Sequence, residues 1–383
     1  MPKEIRVGLV GYKFMGKAHS HAYRDVAMFF SSMKAVPVMK AICGRTEDEV
    51  AKAAKIYGWQ SYETSWEKLI QRDDIDLVDI STPVNLHKDI AIAAAKAGKH
   101  ILCEKPMAMN LDEAREMLEA AEKAGIKHMI GFNYRRVPAI ALARKLIEEG
   151  ALGRIYHFRA TYLQDWIVDP NFPLVWRLRK EFAGSGALGD LGAHIIDLAR
   201  FLVGEFERVT CATKTFIKER PEASYVTGLT ARAGGKMGEV TVDDAAIAIA
   251  EFKNGALGSF EVTRLAPGRK NCQRIEINGS KGSIFFDLER LNELQFFSRE
   301  DKDYEQGFRT ILVTEESHPY LKAWWPSGHI IGWEHAMVHQ IHDLLEDIAE
   351  DRMPTPNFVD GLKCQEVLEA MDRSSREGRW VRI

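Results

Sequence analysis

Short apolar runs alternate with amphipathic stretches along the first third of the chain. Runs rich in β-branched residues predict strands at 5–10, 36–43, 77–80, 100–103 and 128–132. Apolar positions at helical spacing predict helices at 15–30, 47–57, 88–96 and 111–124. Because strand and helix alternate, we expect a parallel sheet with helices on both faces.

After Glu149 the pattern changes to strands in which apolar and polar positions alternate, separated by turns of Gly, Asn and Pro. The main segments of this kind are 155–163, 245–252, 257–263, 274–278 and 282–286. Such alternation is typical of an antiparallel sheet with one open face. We therefore predict an α/β chain with two domains, 1–131 and 132–383, the second being an α+β domain with a large open, mostly antiparallel sheet.

Composition narrows the class of protein. The 383 residues suggest two domains at about 150 residues each. The chain has 52 basic and 55 acidic residues and no long run of one sign, which argues against nucleic acid or a membrane surface as partner. The five cysteines are scattered without a CxxC pair, so neither a disulfide framework nor a cysteine zinc site is expected. This cysteine usage fits a reducing cytoplasm, and the lack of a recognisable signal peptide or membrane span predicts a soluble protein.

The stretch GYKFMG, residues 11–16, follows the first predicted strand and opens the first predicted helix. In a Rossmann dinucleotide-binding domain the first glycine reverses the chain and the third packs helix on strand, roles that Gly11 and Gly16 fill. Lys13 stands where the middle glycine belongs, and its ammonium is expected to face the pyrophosphate. The remaining cofactor-binding candidates of this turn are Tyr12, Phe14 and Met15.

The end of the second predicted strand reads Cys43-Gly44-Arg45-Thr46, where a carboxylate for the adenosine ribose is usual. Arg45 suits the 2′-phosphate of NADP, but an arginine can also lie flat on the adenine of NAD. A third interpretation is an exposed loop residue. The sequence therefore predicts NAD or NADP as cofactor, with Gly44 and Arg45 near the adenosine.

Two further segments follow predicted strands, and ligands of such folds bind beyond the carboxyl ends of the strands. One runs from Ser81 to His87 and the other from Cys103 to Pro106. The alternative for the charged pair is a solvated turn. The candidate residues of these segments are Thr82, Pro83, Asn85, His87, Glu104 and Lys105.

In the second half, GSGALGDLGAHIIDLARFLVG begins with loose glycines and continues as a predicted helix. Asp190 and His194 are four residues apart and would share a helix face. A carboxylate beside an imidazole can hold its tautomer and suits proton transfer. The structural alternative is a helix-capping aspartate with a core histidine.

Several of these motifs occur together in one known family. The chain resembles the glucose-fructose oxidoreductase, inositol dehydrogenase and rhizopine catabolism (Gfo/Idh/MocA) family through GYKFMGKAHS, TPVNLH, AGKHILCEKP, GFNYR, Trp176-Arg177 and DLGAH. The resemblance implies NAD(P)-dependent oxidation or reduction of a sugar or polyol CH–OH group. It makes Lys105 the residue that orients substrate and nicotinamide ribose, His194 the general acid/base and Asp190 its partner. It also places Asn133, Trp176 and Arg177 beside the cofactor.

The chain departs from the family pattern at Lys13, at Val84 and at Ser185, and the first two bear on cofactor geometry. Within the family it is most similar to dehydrogenases of levoglucosan and related sugars. Two alternatives are an NAD-dependent glycosidase of the same fold and a noncatalytic NAD(P)-sensing regulator. A homodimer or homotetramer through the C-terminal sheet is expected.

Aromatic and amide side chains near the second sheet are candidates for contact with a sugar, because flat rings pack on sugar faces. The substrate-binding candidates, besides Lys105, Asp190 and His194, are Tyr134, Gln164, Trp166 and Trp325, with Tyr162 a further aromatic.

Three histidines, His335, His339 and His342, recur on one predicted helix. We expect a packed helix rather than a metal site, since zinc ligands usually come from more than one element. His19 and His21 are expected on the surface of the first helix.

Overall fold

The computed structural model describes residues 1–227 and 230–383, and its N-terminal half is built on a parallel sheet. The strands are β1 Lys3–Val10, β2 Ala35–Cys43, β3 Ser61–Glu63, β4 Leu77–Ile80, β5 His100–Cys103 and β6 His128–Ile130. The helices are α1 Phe14–Phe29, α2 Glu47–Tyr57, α3 Trp66–Ile70, α4 His87–Lys96 and α5 Leu111–Ala124. The strand order is β3-β2-β1-β4-β5-β6. The predicted Rossmann domain is confirmed.

The strand order reverses between β1 and β4, and this reversal creates a crevice at the carboxyl ends of the strands. All four residues of β4 are buried, as in a strand covered by helices on both faces. Helix α5 begins where the side chain of Asn110 accepts a hydrogen bond from the Glu113 N–H, and it ends at Gly125 in a left-handed conformation.

The second half is built on a mixed, mostly antiparallel sheet. Its helices are α6 Pro138–Glu148, α7 Lys180–Ala183, α8 Ala193–Leu202, α9 His335–Ala349 and α10 Phe358–Glu377. Its strands are β7 Ile155–Leu163, β8 Phe206–Lys214, β9 Glu219–Thr227, β10 Thr230–Glu239, β11 Ala245–Phe252, β12 Leu257–Thr263, β13 Cys272–Gly279, β14 Gly282–Asp287, β15 Glu293–Ser298, β16 Arg309–Leu312 and β17 Val381–Arg382.

Within the described residues this sheet has the order β16-β15-β14-β13-β7-β12-β11-β8-β17, while β9 and β10 form a separate two-stranded arm. The β7–β12 pair is parallel and the other pairs of the large sheet are antiparallel. Burial alternates along β11 and β12, so one face packs on helices and the other is open. The predicted α+β architecture is confirmed.

The C-terminal segment returns to the N-terminal sheet. Met337, Val338 and Ile341 of α9 share a hydrophobic core with Val7 and Leu9 of β1. The predicted domain boundary after residue 131 lies just beyond the end of β6. Helix α9 from the second half packs on β1 of the first half, so the boundary stays a prediction. Among the residues that the structure describes, none of the helices is long and apolar enough for a bilayer.

The three histidines of α9 pack against aromatic side chains, and two of them share Trp324. His339 is fully buried; its Nε2 accepts a hydrogen bond from the Trp324 indole at 2.7 Å, and its Nδ1 lies 2.8 Å from the carbonyl oxygen of Arg136. Burial lowers the pKa of His339 to about 3. His335 packs against Trp324, and His342 stacks on Phe30. These three histidines therefore pack α9 against the end of α1 and against the loop that precedes α9.

Candidate active site

A cleft of about 1020 Å³ lies between the carboxyl edge of the parallel sheet and the C-terminal sheet. Lys105, just after β5, lines it together with Asp190, from the π-helical segment before α8, and His194, from the first turn of α8. The fold thus brings Lys105 to one cavity with Asp190 and His194, which lie 85 and 89 positions further along the chain.

The glycine turn has the close backbone packing that a dinucleotide site requires. Gly11 has φ +114°, and a Cβ there would lie 2.7 Å from the carbonyl oxygen of Ser81. A Cβ on Gly16 would collide with the backbone of Gly11. Helix α1 begins at Phe14, within this stretch, and helix N-termini bind phosphate groups. Lys13, Phe14 and Met15 line the cleft here.

At the far end of the cleft, Gly44 and Arg45 follow β2. A Cβ on Gly44 would collide with the ring of Tyr12, whose hydroxyl donates to Glu49 at 2.5 Å. The first turn of α2 is acidic, with Glu47, Asp48 and Glu49. Thr64, Ser65 and Trp66 also line this end and were not predicted. Their position just past β3, another carboxyl strand end, is the signal that would have identified them.

His19 is buried, with 1% of its surface exposed, so the expectation of a surface position was wrong. Its Nδ1 lies 2.8 Å from Asp79 Oδ2 and its Nε2 lies 3.0 Å from Glu104 Oε1. Burial opposes the charge of the imidazolium, but the two carboxylates outweigh burial and raise the pKa of His19 to about 10. The carboxylates come from β4 and the end of β5, which local sequence could not connect to α1.

The ammonium of Lys105 is held by Asp190. It donates to the backbone carbonyl of Asp190 at 2.9 Å and to Oδ1 at 3.0 Å. Oδ2 of the same carboxylate lies 3.4 Å from the guanidinium of Arg264, a residue only 1% exposed. Burial opposes ionisation of Asp190, yet the neighbouring cations Lys105, Arg264 and Arg177 hold the pKa of this carboxyl well below its usual range.

Arg264 was missed by the sequence interpretation. It follows directly after β12, and a charged residue at the end of an alternating strand is a weak signal on its own.

His194 is buried between two tyrosine rings, with ring centroids 4.5 Å from Tyr134 and 5.9 Å from Tyr162. Burial, assisted by the positive charge of Lys105, sets the pKa of His194 well below 6.5. The imidazole is therefore neutral at pH 7 and can accept a proton. Its Nδ1 has no hydrogen-bond partner among the described residues.

Asp190 does not hold the imidazole as the helical spacing suggested. Residues Leu188–Gly192 are π-helical, and the carboxylate of Asp190 is directed to Lys105 and Arg264. Its observed contacts make Asp190 the anchor of the ammonium.

Hydroxyl and amide groups line the C-terminal side of the cleft as one chain of hydrogen bonds. The Tyr134 and Tyr162 hydroxyls lie 3.0 Å apart, Tyr162 donates to Asn271 Oδ1 at 2.8 Å, and Gln164 Nε2 donates to the same oxygen at 2.8 Å. The indoles at its two ends are Trp333, donating to Tyr134, and Trp166, donating to Gln164. Asn271 and Trp333 were not predicted, since they lie in loops without a motif.

Other predicted residues divide into two groups. Those that line the cleft are Tyr12, Gly44, Arg45, Thr82, Pro83, His87, Glu104, Asn133, Trp176 and Arg177. Gly16, Asn85 and Trp325 are not among the lining residues. Trp325 is 50% exposed and packs edge-on against Phe29, because the loop before α9 lies over α1.

Two buried polar atoms test the fit of a nicotinamide cofactor. Thr82 Oγ1 and Asn133 Nδ2 border the cleft and have no partner within the described part of the chain. Buried polar groups normally have partners, so these two suit a ligand with both donors and acceptors, such as a carboxamide or ribose. Together with the tight glycine turn, they fit NAD or NADP.

Comparisons with known proteins agree with this geometry. Residues 5–132 match the oxidoreductase family with an NAD-binding Rossmann fold, and residues 140–285 match the GFO/IDH/MocA C-terminal domain. The chain belongs to the Gfo/Idh/MocA family. As a Gfo/Idh/MocA protein it is an NAD(P)-dependent oxidoreductase, and the predicted enzyme class and cofactor type are confirmed.

Individual relatives span the whole chain. A levoglucosan dehydrogenase from Pseudarthrobacter phenanthrenivorans is 46% identical over 100% of this chain and 98% of its own length. A solved oxidoreductase domain protein from Kribbella flavida is 51% identical with a TM-score of 0.94, covering both chains completely. A levoglucosan dehydrogenase complex with NADH and levoglucosan is 45% identical with a TM-score of 0.95, also over 100% of both chains.

Proposed function

We propose that this Gfo/Idh/MocA protein oxidises a CH–OH carbon of an anhydrosugar or similar sugar, with NAD as hydride acceptor. The observation that supports this most is the meeting of Lys105, Asp190 and His194 in one cleft beside the glycine turn. The sugar class agrees with relatives that include levoglucosan dehydrogenase and a myo-inositol 2-dehydrogenase from Thermotoga maritima, 29% identical over 74% of this chain.

The proposed reaction divides the work among these side chains. When bound, the nicotinamide supplies the acceptor for the hydride. Neutral His194 takes the hydroxyl proton as the carbon–oxygen double bond forms. The ammonium of Lys105, held by Asp190, stabilises the negative charge that develops on the substrate oxygen. Reduction of the ketone uses the same groups in reverse.

The hydrogen-bonded series of hydroxyl and amide side chains between Trp333 and Trp166 suits a polyhydroxylated ligand. Tyr162, Gln164 and Asn271 offer donors and acceptors in fixed positions, because each already has one hydrogen-bond partner. Trp166 and Trp176 provide flat apolar surface at the same end of the cleft. We therefore assign the sugar to the space between this series and Lys105.

The charges at the adenosine end favour NAD over NADP. Arg45 lines the cleft there, and the exposed carboxylates Glu47, Asp48 and Glu49 follow it in the first turn of α2, outside the lining. Their negative charge would repel a 2′-phosphate near this turn. Specificity constants for NAD and NADP, measured at one sugar concentration, test this assignment, and a preference for NADP would contradict it.

The experiment that tests the reaction is a substrate panel. Purified protein is incubated with NAD or NADP and a set of inositols, aldoses and anhydrosugars, and the reduced nicotinamide is followed by absorbance. We expect reduction with anhydrosugars. Cleavage of an aryl glycoside without net reduction would favour a glycosidase instead.

The open face of the large sheet supports a homo-oligomer. Ile247, Ile249 and Leu257 are exposed side by side on β11 and β12. The ion pairs Arg208–Glu251 and Arg159–Glu276 lie on the same sheet, and mixed charges of this kind can complement themselves across a twofold axis.

The predicted homodimer or homotetramer would pair these faces. Light scattering of the protein and of Ile249→Glu tests this, since a single charge in the face should dissociate the assembly.

The expected cytoplasmic location also stays a prediction, in keeping with the five free cysteines.

A further inference from the structure

Glu104 contacts both His19 on α1 and the backbone of Lys105 after β5, two positions that are distant in the sequence. Its Oε1 lies 3.0 Å from His19 Nε2, and its Oε2 accepts a hydrogen bond from the backbone N–H of Lys105 at 3.2 Å. The side chain is enclosed, with the residue 5% exposed. Gly131 makes room for it, because a Cβ at that position would lie 2.6 Å from Glu104 Oε1.

His19 is itself fixed from the opposite side. Its Nδ1 lies 3.0 and 2.8 Å from the two oxygens of Asp79, and Asp79 Oδ2 also accepts from the Tyr23 hydroxyl at 2.9 Å. Both ring nitrogens therefore face carboxylates, and the imidazole cannot rotate without losing one of them. The result is a continuous series of contacts from β4 through α1 to the residue before Lys105.

A buried charge network of this kind is weak evidence for stability, since apolar residues of similar volume often replace such networks without loss. The location of this network indicates a role in positioning Lys105 rather than in stability. The helix that holds His19 begins at the glycine turn, and the carboxylate that His19 holds fixes the backbone from which the ammonium of Lys105 reaches Asp190.

We propose that His19 is a positioning residue: through Glu104 it fixes the backbone of Lys105, so that the ammonium lies at the reacting hydroxyl. This inference rests on the proposed function of Lys105. A misplacement of about 1 Å in such a group can reduce turnover about 100-fold.

The test compares the wild type with His19→Gln and a matched control. The glutamine amide can donate through its single nitrogen, while its oxygen cannot donate to a carboxylate, so the fixed bridge from Asp79 to Glu104 is lost. We expect kcat for sugar oxidation to fall about 30- to 100-fold, while the Kd for NADH changes less than about threefold. His21→Gln is the control, because His21 lies on the same helix and pairs with Asp25 at 3.1 Å. It should match the wild type.

A double variant separates positioning from general damage to the fold. If His19 acts through Lys105, then Lys105→Ala and Lys105→Ala with His19→Gln should have nearly the same single-turnover rate. Additive losses would overturn the proposal. Should His19→Gln fail to fold, Glu104→Gln serves in its place, since its amide oxygen can still accept from the Lys105 N–H but it has no charge for His19.

A crystal structure of His19→Gln, or of Glu104→Gln in that case, gives a readout that needs no activity. We expect Lys105 Nζ to move out of hydrogen-bond distance from Asp190, and an unmoved ammonium would overturn the proposal. A wild type that oxidises no sugar contradicts the proposed reaction, while the measured position of Lys105 still decides the role of His19. A displaced ammonium with unchanged kcat would also overturn it.

Discussion

The ammonium of Lys105 donates to both the backbone carbonyl and the carboxylate of Asp190, at 2.9 and 3.0 Å. This pair joins the end of a Rossmann strand to the start of a helix from the other half of the chain. Because Arg264 holds the second oxygen of Asp190, the carboxylate has little freedom to turn toward His194. The cation is therefore placed by a fixed anion, and the imidazole beside it stays neutral.

Lys105→Ala should lower turnover by about two to three orders of magnitude, because it removes the donor to the developing oxyanion. The Kd for NADH, measured by fluorescence titration, should stay within about fivefold of the wild type, as the glycine turn is untouched. Lys96→Ala, on the exposed surface of α4, is the matched control. Unchanged turnover in Lys105→Ala would remove this residue from catalysis.

The low pKa of His194 sets the pH profile of oxidation. Burial, with Lys105, places this pKa well below 6.5, so the imidazole is in its proton-accepting form through neutral pH. We expect kcat/KM for sugar oxidation to stay level as pH falls from 8 to about 6.5 and to decline only at lower pH. His194→Gln should lose most of the activity together with this acid limb. A midpoint above pH 7 in the wild type would contradict the assignment.

His19 should make the folded protein less stable as pH rises, whereas sugar oxidation should fall only as pH is lowered. Its pKa is raised from 6.5 to about 10 in the folded protein, so the folded state holds this proton more tightly. Its stabilising effect is complete below pH 6.5 and is lost as pH rises toward 10. The difference in thermal midpoint between wild type and His19→Gln should therefore shrink from pH 7 to pH 10. In ¹⁵N spectra both ring nitrogens should remain protonated above pH 8.

Arg220 should control the binding of sugar without touching it. The residue is fully buried on β9, and its guanidinium donates to the carbonyl oxygens of Ile167 at 2.6 Å and Asp169 at 2.7 Å. These carbonyls lie in the segment that carries Trp166 and Trp176. Arg220→Gln should raise the KM for sugar about tenfold, with a smaller change for NAD. The exposed Arg232→Gln is the control, and equal changes in both KM values would contradict this role.

Gly44→Ala should weaken the cofactor complex. The added methyl group would collide with the ring of Tyr12, which borders the cleft and is held by Glu49. We expect the Kd for NADH to rise about tenfold, with the chemical step less affected. Gly307→Ala is the control, since a Cβ there meets nothing within 4 Å. An unchanged Kd would place Gly44 away from the bound dinucleotide.

Local patterns predicted most elements of both sheets. Alternating apolar and polar residues identify β11 and β12, and short, mostly apolar runs identify β4 and β5, because neighbouring residues of a strand show which of its faces are buried. The glycine turn and the residues at strand ends were predicted for a related reason. Parallel strands place their carboxyl ends at one edge, so a motif at each end is expected to contribute to one site.

The wrong or missing predictions share a different origin. His19 was expected on the surface because its partners, Asp79 and Glu104, are 60 and 85 residues away. Arg264 directly follows β12 and Asn271 directly precedes β13, neither within a motif, and they reach the site only because the mixed sheet lies across the cleft. The packing of α9 on β1 likewise depends on a contact between the two ends of the chain.

Burial patterns and short motifs in the chain thus determined the two sheets and the nucleotide turn, and they supplied the side chains proposed to react. Folding alone decided the partners of each charge: Asp190 with Lys105 and Arg264, and His19 with Asp79 and Glu104. The physical reason is the distance along the sequence over which each kind of interaction acts. Apolar periodicity reflects the burial of neighbouring residues, whereas the charge state of a buried group depends on whatever the fold places within a few ångströms of it.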